Sequence, residues 1–540
     1  MAGSVIAGPL ASPAGRWGLA LGLLTLHVAL AAGAASGLAR DDLETMFFAQ
    51  GWAWGYDPEQ PPLYNWLTQA LTDLFGPSLG AAVGLRWAII AGGVLAFYDA
   101  VRRMSGGKRV AGDAALAAGA VAGAAGTALL GYEAALHFTH TTLLISATAA
   151  VLWAVTRVAE RPTAGRFLLL GCALAVACLS KYTFAVFGLA LAVAALTDPL
   201  LRSRLRDRRI LLAALPPLLI LPGHLWWRLG QDVALTDRVA SITSQGRDVP
   251  LAVWERLPGL AADVILDPLA GMAPPLVLIA LVAVVRRRPV SRPDPRPPAG
   301  PDVRWPRVLL IFVAVSMLLT LAIVLATGGH RLRYHYLLPA ALVLPAVGLL
   351  WLRPRAVSWA PWRARALGWG LAGLAMLAAG GVAMDRLVRE PASCGRCLSL
   401  LPVAAAADVL RDAGFEGRGT ILAASLDWGA NLRRMFPEAR MLARARSDWR
   451  PPEDQTTGGA CLILLSRAEA GVLASGETLA DTVFAETVAP LAGMAPEAVP
   501  LDRARVIALP LTRAPLFADG ARRLHPFGFV WIPEGLGTCG

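Results

Sequence analysis

Long apolar segments recur through the first 385 residues of this chain, and they constrain its fold more than any other feature. There are about 11 of them, each close to the length that crosses a bilayer. They lie near residues 17–38, 82–101, 110–131, 141–157, 167–180, 182–197, 210–226, 262–285, 308–327, 337–352 and 366–385. A chain that is 56% hydrophobic and 16% charged cannot hide so much apolar surface in a soluble globule. The sequence therefore predicts an α-helical polytopic membrane protein with about 11 transmembrane helices.

Arginine is concentrated in alternate loops between these segments. The loops at 102–109, 157–166, 202–209 and 353–365 are rich in basic residues, as is the Pro- and Arg-rich run 286–307, which reads as an unstructured cytoplasmic linker. Because positive loops stay on the cytoplasmic side, the N-terminus is expected inside. The net charge of +12 then reflects membrane topology, and no nucleic-acid partner is expected.

The same alternation places two polar regions outside the membrane. One is an outer juxtamembrane loop at 40–80, and the other is the chain from 386 to 540. In the second region, 401–413 and 467–474 have the pattern of helices, while 420–424 and 460–465 have the pattern of strands. The expected organisation is a transmembrane domain of residues 1–385 followed by a small extracytoplasmic α/β domain of residues 386–540.

Four of the six cysteines lie in the outer C-terminal region, at Cys394, Cys397, Cys461 and Cys539. If this region is exported, they allow two structural disulfides, and Cys461 with Cys539 is one pairing. The spacing of Cys394 and Cys397 also fits a redox pair or half of a zinc site.

Acidic and aromatic residues are concentrated in the juxtamembrane loop. Asp41 and Asp42 directly follow the first apolar segment. A carboxylate at the membrane edge can accept a proton from a hydroxyl or amine, or bind a metal ion. The other interpretation is that these acids cap a helix. Further along, the pair Pro61-Pro62 opens an amphipathic helix suited to the membrane–water interface.

Cationic side chains recur on the same side of the membrane. Lys181 stands alone between two apolar segments, and Arg331, Arg333 and His335 lie together before a later one. Such groups suit a departing phosphate, because arginine and lysine bind phosphate and His335 can donate a hydrogen bond. The alternatives are a lysine that snorkels to the interface and arginines that contact anionic headgroups.

Four motifs on the outer side together resemble one family. In order, they are Asp41-Asp42 with Trp54-Gly55-Tyr56 and Gln60-Pro61-Pro62-Leu63, then Lys181-Tyr182-Thr183, then Leu221-Pro222 through Trp226-Trp227, then Arg333-Tyr334-His335-Tyr336-Leu337-Leu338-Pro339. Over residues 17–352 the chain resembles the GT-C membrane glycosyltransferases of the protein mannosyltransferase and aminoarabinose transferase type, similar to glycosyltransferase family 39.

The resemblance implies an enzyme of the inner membrane with a GT-C-like fold. It would transfer a hexosyl or pentosyl group from a polyprenyl-phosphate-linked donor to an envelope lipid, glycan or protein on the outer face. Asp41 matches the catalytic base, and Asp42 is a looser match because the family usually has Asp-Glu there.

The resemblance also suggests residues that contact substrate. Glu59 falls where some relatives carry a substrate- or metal-binding acid, and His140 stands near a position that is often Asp. With Lys181, Arg331, Arg333 and His335 they make up the expected substrate and phosphate site. A divalent metal ion is left open as a cofactor.

Two other functions stay open. A flippase or transporter of lipid-linked sugars would be expected to show repeated halves and polar groups near the membrane centre, whereas the polar groups here collect on the outer side. A non-enzymatic envelope assembly protein would use residues 386–540 as its binding part.

Overall fold

The computed structural model describes residues 5–106, 111–133, 136, 138–231, 243, 252–284, 303–354, 359–451, 460–475, 488–493, 495, 499–514 and 522–533. The predicted linker 286–307 lies outside this described part, apart from 303–307.

Helices dominate the described part of the chain up to residue 393, because in lipid a backbone must satisfy its own polar groups. They are α1 (Pro13–Gly33), α2 (Asp41–Phe48), α3 (Leu63–Phe75), α4 (Leu79–Met104), α5 (Ala111–Ala125), α6 (His140–Glu160), α7 (Ala164–Cys178), α8 (Phe184–Leu196), α9 (Pro199–Leu205), α10 (Ile210–Leu229), α11 (Val253–Ala261), α12 (Asp267–Gly271), α13 (Ala273–Val284), α14 (Trp305–Ala326), α15 (Leu338–Ala341), α16 (Leu344–Leu352), α17 (Pro361–Met384) and α18 (Glu390–Ser393).

The protein is an integral membrane protein, as predicted. Among the described residues, seven helices are long and apolar enough to cross a membrane, and two sharply bent pairs raise the number to nine. The bent pairs are α8 with α9 and α11–α12 with α13. Two shorter apolar helices, at Ala114–Ala125 and within α7, lie at two further predicted segments. The predicted number of 11 spans is therefore not confirmed, although a helix is present at each predicted position.

Small residues allow the membrane helices to pack closely. A Cβ atom at Gly93 of α4 would lie 2.4 Å from Ser146 Oγ of α6. At Gly171 of α7 it would lie 2.7 Å from the carbonyl oxygen of Ala213 in α10. The core between these helices consists mostly of Ala, Leu, Val and Phe.

The C-terminal region from residue 394, which we call the outer region after its predicted side of the membrane, forms a small mixed sheet flanked by helices, as predicted. Its elements are α19 (Val403–Asp412), β1 (Thr420–Ala423), α20 (Leu426–Arg433), β2 (Arg440–Ala443), β3 (Cys461–Leu464), α21 (Arg467–Ala474), β4 (Arg505–Pro510) and β5 (Leu524–Ile532). The strand order is β2-β1-β3-β5-β4. β1 is parallel to β2 and β3, while β5 is antiparallel to β3 and β4.

The two predicted strands are β1 and β3, and the helix predicted at 467–474 is α21. Ser466 caps α21 and Glu469 completes a capping box. Cys394 and Cys397 form a disulfide, so their sulfur atoms are not available as zinc ligands in the structure. Cys461 is also disulfide-bonded, and Cys539, its expected partner, lies outside the described residues.

The outer region and the juxtamembrane loop are joined by side-chain amides that bond to backbone. Gln50 acts like one residue of an extra strand, because its Oε1 accepts from Met441 N (2.7 Å) and its Nε2 donates to Met441 O (3.1 Å) at the edge strand β2. Asn431 of α20 accepts from Leu38 N (2.7 Å). The division of the chain at residue 385 stays a prediction.

Aromatic residues of the loop complete the core of the outer region. Phe47, Phe48 and Tyr56 are each about 1% exposed or less, and all three rings contact Trp449. The loop thus shares a hydrophobic core with residues that lie almost 400 positions later in the chain.

We expect the substitution Asn431→Leu to weaken the contact between the outer region and the segment that leads into the juxtamembrane loop. It removes the acceptor of the buried Leu38 N–H group and leaves that group unsatisfied, which costs about 2 kcal/mol. The thermal unfolding midpoint of the purified protein, followed by tryptophan fluorescence, should fall. Glu438→Gln, at a side chain that is 66% exposed, is the control and should leave the midpoint unchanged. Equal midpoints for the two variants would contradict the prediction.

Candidate active site

Two adjacent aspartates begin α2 and have different partners. Asp42 forms a buried salt bridge with Arg86 of α4, and Arg86 Nη1 also donates to Leu136 O (3.1 Å). Asp41 Oδ2 accepts from the backbone N–H of Thr139 (3.2 Å), and among the residues described it forms no salt bridge. The capping interpretation is not supported, since the N-cap of α2 is Arg40 and no side chain caps it.

The environment of Asp41 makes its carboxylate more basic than one in water. Burial raises its pKa, while the Thr139 N–H group and the positive charge of Lys181 act in the opposite direction. A carboxylate with a raised pKa is a stronger base than one in water, and a nearby cation favours its ionised form.

Lys181 lies in the turn between α7 and α8 and points into the protein. Its Nζ donates to Thr141 Oγ1 (2.9 Å) and lies 4.9 Å from the centre of the Tyr336 ring. Burial lowers its pKa to about 8, and the negative charge of Asp41 opposes that change. A lysine that snorkels would extend to water, so this interpretation does not fit the structure.

A cavity of about 160 Å³ opens beside Lys181. Its polar lining includes Glu59, Gln60, Lys181 and Thr183. Its apolar lining comes from α8 and α14 and consists of Val186, Phe187, Ile323 and Val324, with Leu332 beyond α14. The cavity therefore combines a cationic and polar wall with a wall that suits a hydrocarbon chain.

The two predicted histidines flank Lys181. His140 is 4% exposed; its Nδ1 lies 3.3 Å from Ser180 O, directly before Lys181. The His335 ring packs between Phe138 and Tyr336, with centres 5.0 and 4.4 Å away. The structure thus brings both histidines close to the lysine that the sequence singled out.

The two predicted arginines lie further out. Arg331 Nε is 3.2 Å from Asp263 Oδ2, and its side chain is 56% exposed. Asp263 also accepts from Leu332 N (2.8 Å), so Arg331 contributes to holding this segment in place. Arg333 is exposed. Neither lines the described cavity, whereas Glu59 and Lys181 do.

Sequence reasoning missed His224, which connects three of the motifs. Its Nε2 bonds with Tyr182 Oη (2.9 Å) and its Nδ1 with Trp54 O (2.8 Å). Gly55 packs so tightly on Trp227 that a Cβ atom there would lie 2.0 Å from the ring. His224 lies inside the Leu221–Trp227 motif, and this position is the sequence signal that could have identified it.

Arg446 of the outer region was also missed. It forms a salt bridge with Glu44 of α2, with Nε 2.5 Å from Oε1, and its Nη2 lies 3.8 Å from Asp57 Oδ2. Asp57 Oδ1 in turn accepts from Glu59 N (2.8 Å). The outer region thus supplies a cation to the acidic loop that carries Asp41 and Glu59.

No group of three or more metal-ligating side chains is found among the described residues. The divalent metal ion left open from the sequence therefore has no cluster of donors in this part of the chain.

Comparison with known proteins places these features in a family context. Residues 59–227 match the family model described as dolichyl-phosphate-mannose-protein mannosyltransferase. The lipopolysaccharide core galacturonosyltransferase RgtA of Rhizobium johnstonii is 31% identical over 308 residues, which are 57% of this chain and 58% of that protein. RgtB of the same organism is 27% identical over 321 residues, 59% of this chain and 61% of that protein. Each match spans less than two thirds of the relative.

Two solved structures share the fold over nearly the whole chain. ArnT from Cupriavidus metallidurans bound to undecaprenyl phosphate has a TM-score of 0.55 at 13% identity, covering 96% of this chain and 98% of that one. The protein has the GT-C fold. Apo ArnT gives a TM-score of 0.51 at 12% identity.

The resemblance to GT-C membrane glycosyltransferases, expected from four motifs, is confirmed. Glu59, His140 and Lys181 lie inside the matched family region 59–227. Asp41 and the segment Arg331–His335 lie outside it, so their roles in this GT-C protein depend on the contacts described above.

The pair of Glu44 and Arg446 gives the stability of this GT-C protein a pH dependence. Burial raises the pKa of Glu44 from 4.5 to about 7, against the charge of Arg446. Between these pH values the folded protein holds a proton that the unfolded chain has lost, so stability falls as pH rises through this range. The loss is on the order of 3 kcal/mol. Melting temperatures of the wild type and Glu44→Gln, measured across this range, should fall less steeply with rising pH in Glu44→Gln than in the wild type; parallel curves would contradict the assignment.

Proposed function

We propose that the protein transfers a sugar from a polyprenyl-phosphate-linked donor to an envelope acceptor on the outer face of the inner membrane. The observation that carries this proposal is that Asp41 and Lys181 both bond to the start of α6, at Thr139 and Thr141, and that Lys181 lines a cavity with an apolar wall. A base and a phosphate-binding cation are the two groups that this reaction needs.

The cavity supports a lipid-phosphate donor. A prenyl chain fits against Val186, Phe187 and Ile323, and the phosphate fits against Lys181. The ArnT structure, which has the same fold, holds undecaprenyl phosphate. Glu59, in the same lining, is placed to accept hydrogen bonds from hydroxyl groups of the donor sugar.

In the proposed reaction, the acceptor hydroxyl oxygen attacks the anomeric carbon of the donor sugar. A new carbon–oxygen bond forms, and the hydroxyl proton passes to the carboxylate of Asp41. The bond between the anomeric carbon and the phosphate oxygen breaks, and its electron pair leaves with the phosphate. Lys181 stabilises the negative charge that develops there. Asp42 stays paired with Arg86 and positions α2.

The two ends of the membrane helices support the proposed orientation. At the end of α4 and α6 away from Asp41, Arg103 bonds to Glu160 and Asp99 (2.6 and 2.7 Å). Arg166 joins Glu160 at 3.7 Å. Arginine is therefore concentrated at the end of these helices away from Asp41. The positive-inside rule assigns that end to the cytoplasm. In the proposed orientation the N-terminus is then inside and residues 386–540 are outside.

The relatives suggest the acceptor. RgtA and RgtB are named for transfer of galacturonosyl groups to the lipopolysaccharide core. We therefore propose a glycolipid of the lipopolysaccharide class as the acceptor, and a uronic acid as the first sugar to test.

Asp41→Asn should abolish transfer while the protein still folds. Loss of a general base costs about 10²–10⁴ in rate. The purified protein would be placed in vesicles. Total membrane lipid from cells that contain the protein would supply the donor, and lipopolysaccharide from the same cells would supply the acceptor. Mass spectrometry would measure the product. Asp408→Asn, at a side chain that is 69% exposed, is the control. Full activity of Asp41→Asn would remove Asp41 from the mechanism.

Binding of undecaprenyl phosphate should depend on pH through Lys181. Its pKa of about 8 means that the site loses its positive charge above this pH, so the affinity should fall there. Lys181→Arg should remove the pH dependence, because guanidinium stays protonated, and Lys181→Met should bind at least about tenfold more weakly at neutral pH. Native mass spectrometry or calorimetry would measure this; wild-type affinity for Lys181→Met would contradict the phosphate role.

A further inference from the structure

Helix α3 turns its polar face into the protein. Asn65 and Gln69 lie four residues apart on one face and are 2% and 5% exposed, while Asp73, one turn further on, is exposed. We call Asn65, Gln69 and Asp73 the α3 polar stripe. Trp52, which is 58% exposed, donates from Nε1 to Asp73 Oδ2 (3.0 Å). The stripe therefore leads from solvent into the protein.

The inner end of the stripe lies close to the proposed catalytic acids. Tyr64, directly before Asn65, interacts electrostatically with Arg86, Asp42 and Asp41. Its ring is 5.5 Å from that of His140. His140 directly follows Thr139, whose N–H group bonds to Asp41, so the Asn65 end of the stripe is the end nearer to Asp41.

Two amide oxygens of the stripe lack hydrogen-bond donors. Asn65 Oδ1 and Gln69 Oε1 are buried and have no partner in the described structure, although Gln69 Nε2 donates to Asp73 Oδ1 (2.6 Å). A buried acceptor without a donor costs about 1–3 kcal/mol, so two on one face indicate a place for a ligand that donates hydrogen bonds. Hydroxyl groups of a sugar are such donors.

A buried arginine from the outer region lies within electrostatic range of Asp73, at the solvent end of the stripe. Arg433 of α20 is 5% exposed and its nearest contacts are Met46 O (3.5 Å) and Met46 Sδ (3.7 Å). Its Nε has no partner, and among the described residues it forms no salt bridge; Asp73 is the carboxylate that interacts with it electrostatically. Burial lowers its pKa to about 10, so it stays charged at neutral pH. An unpaired buried guanidinium is destabilising unless an anion binds it.

We propose that the α3 polar stripe and Arg433 form the acceptor site, and that the acceptor is a sugar that carries a carboxylate or phosphate group. This rests on the proposed function. The amide oxygens accept from sugar hydroxyls, and the fork of Arg433 binds the anionic group. Trp52 offers a ring face at the entrance. Donor and acceptor then approach Asp41 from different sides, the donor from the cavity at Lys181 and the acceptor along α3.

The test measures binding without turnover. Core oligosaccharide is released by mild acid from the lipopolysaccharide of cells that contain the protein, and is titrated calorimetrically into the full-length protein in nanodiscs. Gln69→Met and Arg433→Met should each weaken binding about tenfold or more. Arg418→Met, in the same region and 71% exposed, is the matched control and should bind as the wild type does. Binding of undecaprenyl phosphate should be unchanged in all variants.

Two further measurements separate a binding role from a structural one. The melting temperature of Arg433→Met should be unchanged or higher, because a buried unpaired charge has been removed. Arg433→Lys, which keeps the charge but loses the fork, should bind with intermediate affinity. A large drop in melting temperature together with wild-type binding by Arg433→Lys would make Arg433 structural and overturn the proposal.

Chemical treatment of the oligosaccharide identifies the anion. One sample loses its phosphate groups, and in another the carboxyl groups are reduced. One of these treatments should abolish the difference in binding affinity between wild type and Arg433→Met. A difference that persists after both treatments would overturn the proposal that Arg433 binds an anionic group. Equal binding by wild type, Gln69→Met and Arg433→Met would overturn the site. If these variants lose binding as expected but the wild type transfers no sugar, the site stands and the proposed function fails.

Discussion

The buried salt bridge between Asp42 and Arg86 is the interaction on which the arrangement of the candidate active site depends. It fixes the short helix α2 against the membrane helix α4 at a depth where both side chains are withdrawn from water. Loss of one partner would leave an uncompensated buried charge, which costs several kcal/mol. Because Asp41 precedes Asp42 in the same turn, this pair also determines that the Asp41 carboxylate reaches the Thr139 N–H group and the field of Lys181.

The outer region is a structural partner of the acidic loop. Between α2 and α3 the loop has little regular secondary structure, so its backbone and charges need partners from elsewhere. The outer region supplies them through Gln50 at β2, through Arg446 at Glu44 and through Trp449 among the loop aromatics. Two parts of the chain that are 402 residues apart at Glu44 and Arg446 thereby pack together, and Glu59 of the loop lines the cavity.

Local patterns in the sequence predicted a large part of this fold. Apolar length predicted the membrane helices, the Pro61-Pro62 pair predicted the start of α3, and short apolar runs predicted β1 and β3. The strands β2, β4 and β5 were not predicted. β2 is only four residues long and begins with an arginine, and β4 has mostly exposed or half-buried residues, so neither has the alternation that marks a strand.

The candidate site divides in the same way. Sequence alone determined that this is a membrane protein, that the acids and lone cations fall in the same alternate set of loops, and which motifs resemble the GT-C family, because hydropathy, charge and motif order are properties of neighbouring residues. Only the tertiary structure decided that Asp42 pairs with Arg86 while Asp41 bonds to the Thr139 N–H group, that the polar face of α3 is buried, and that His224, Arg433 and Arg446 belong to this surface. Their partners lie between about 40 and 400 residues away along the chain, and a pairing between a buried charge and a distant group follows from packing, which no local pattern records.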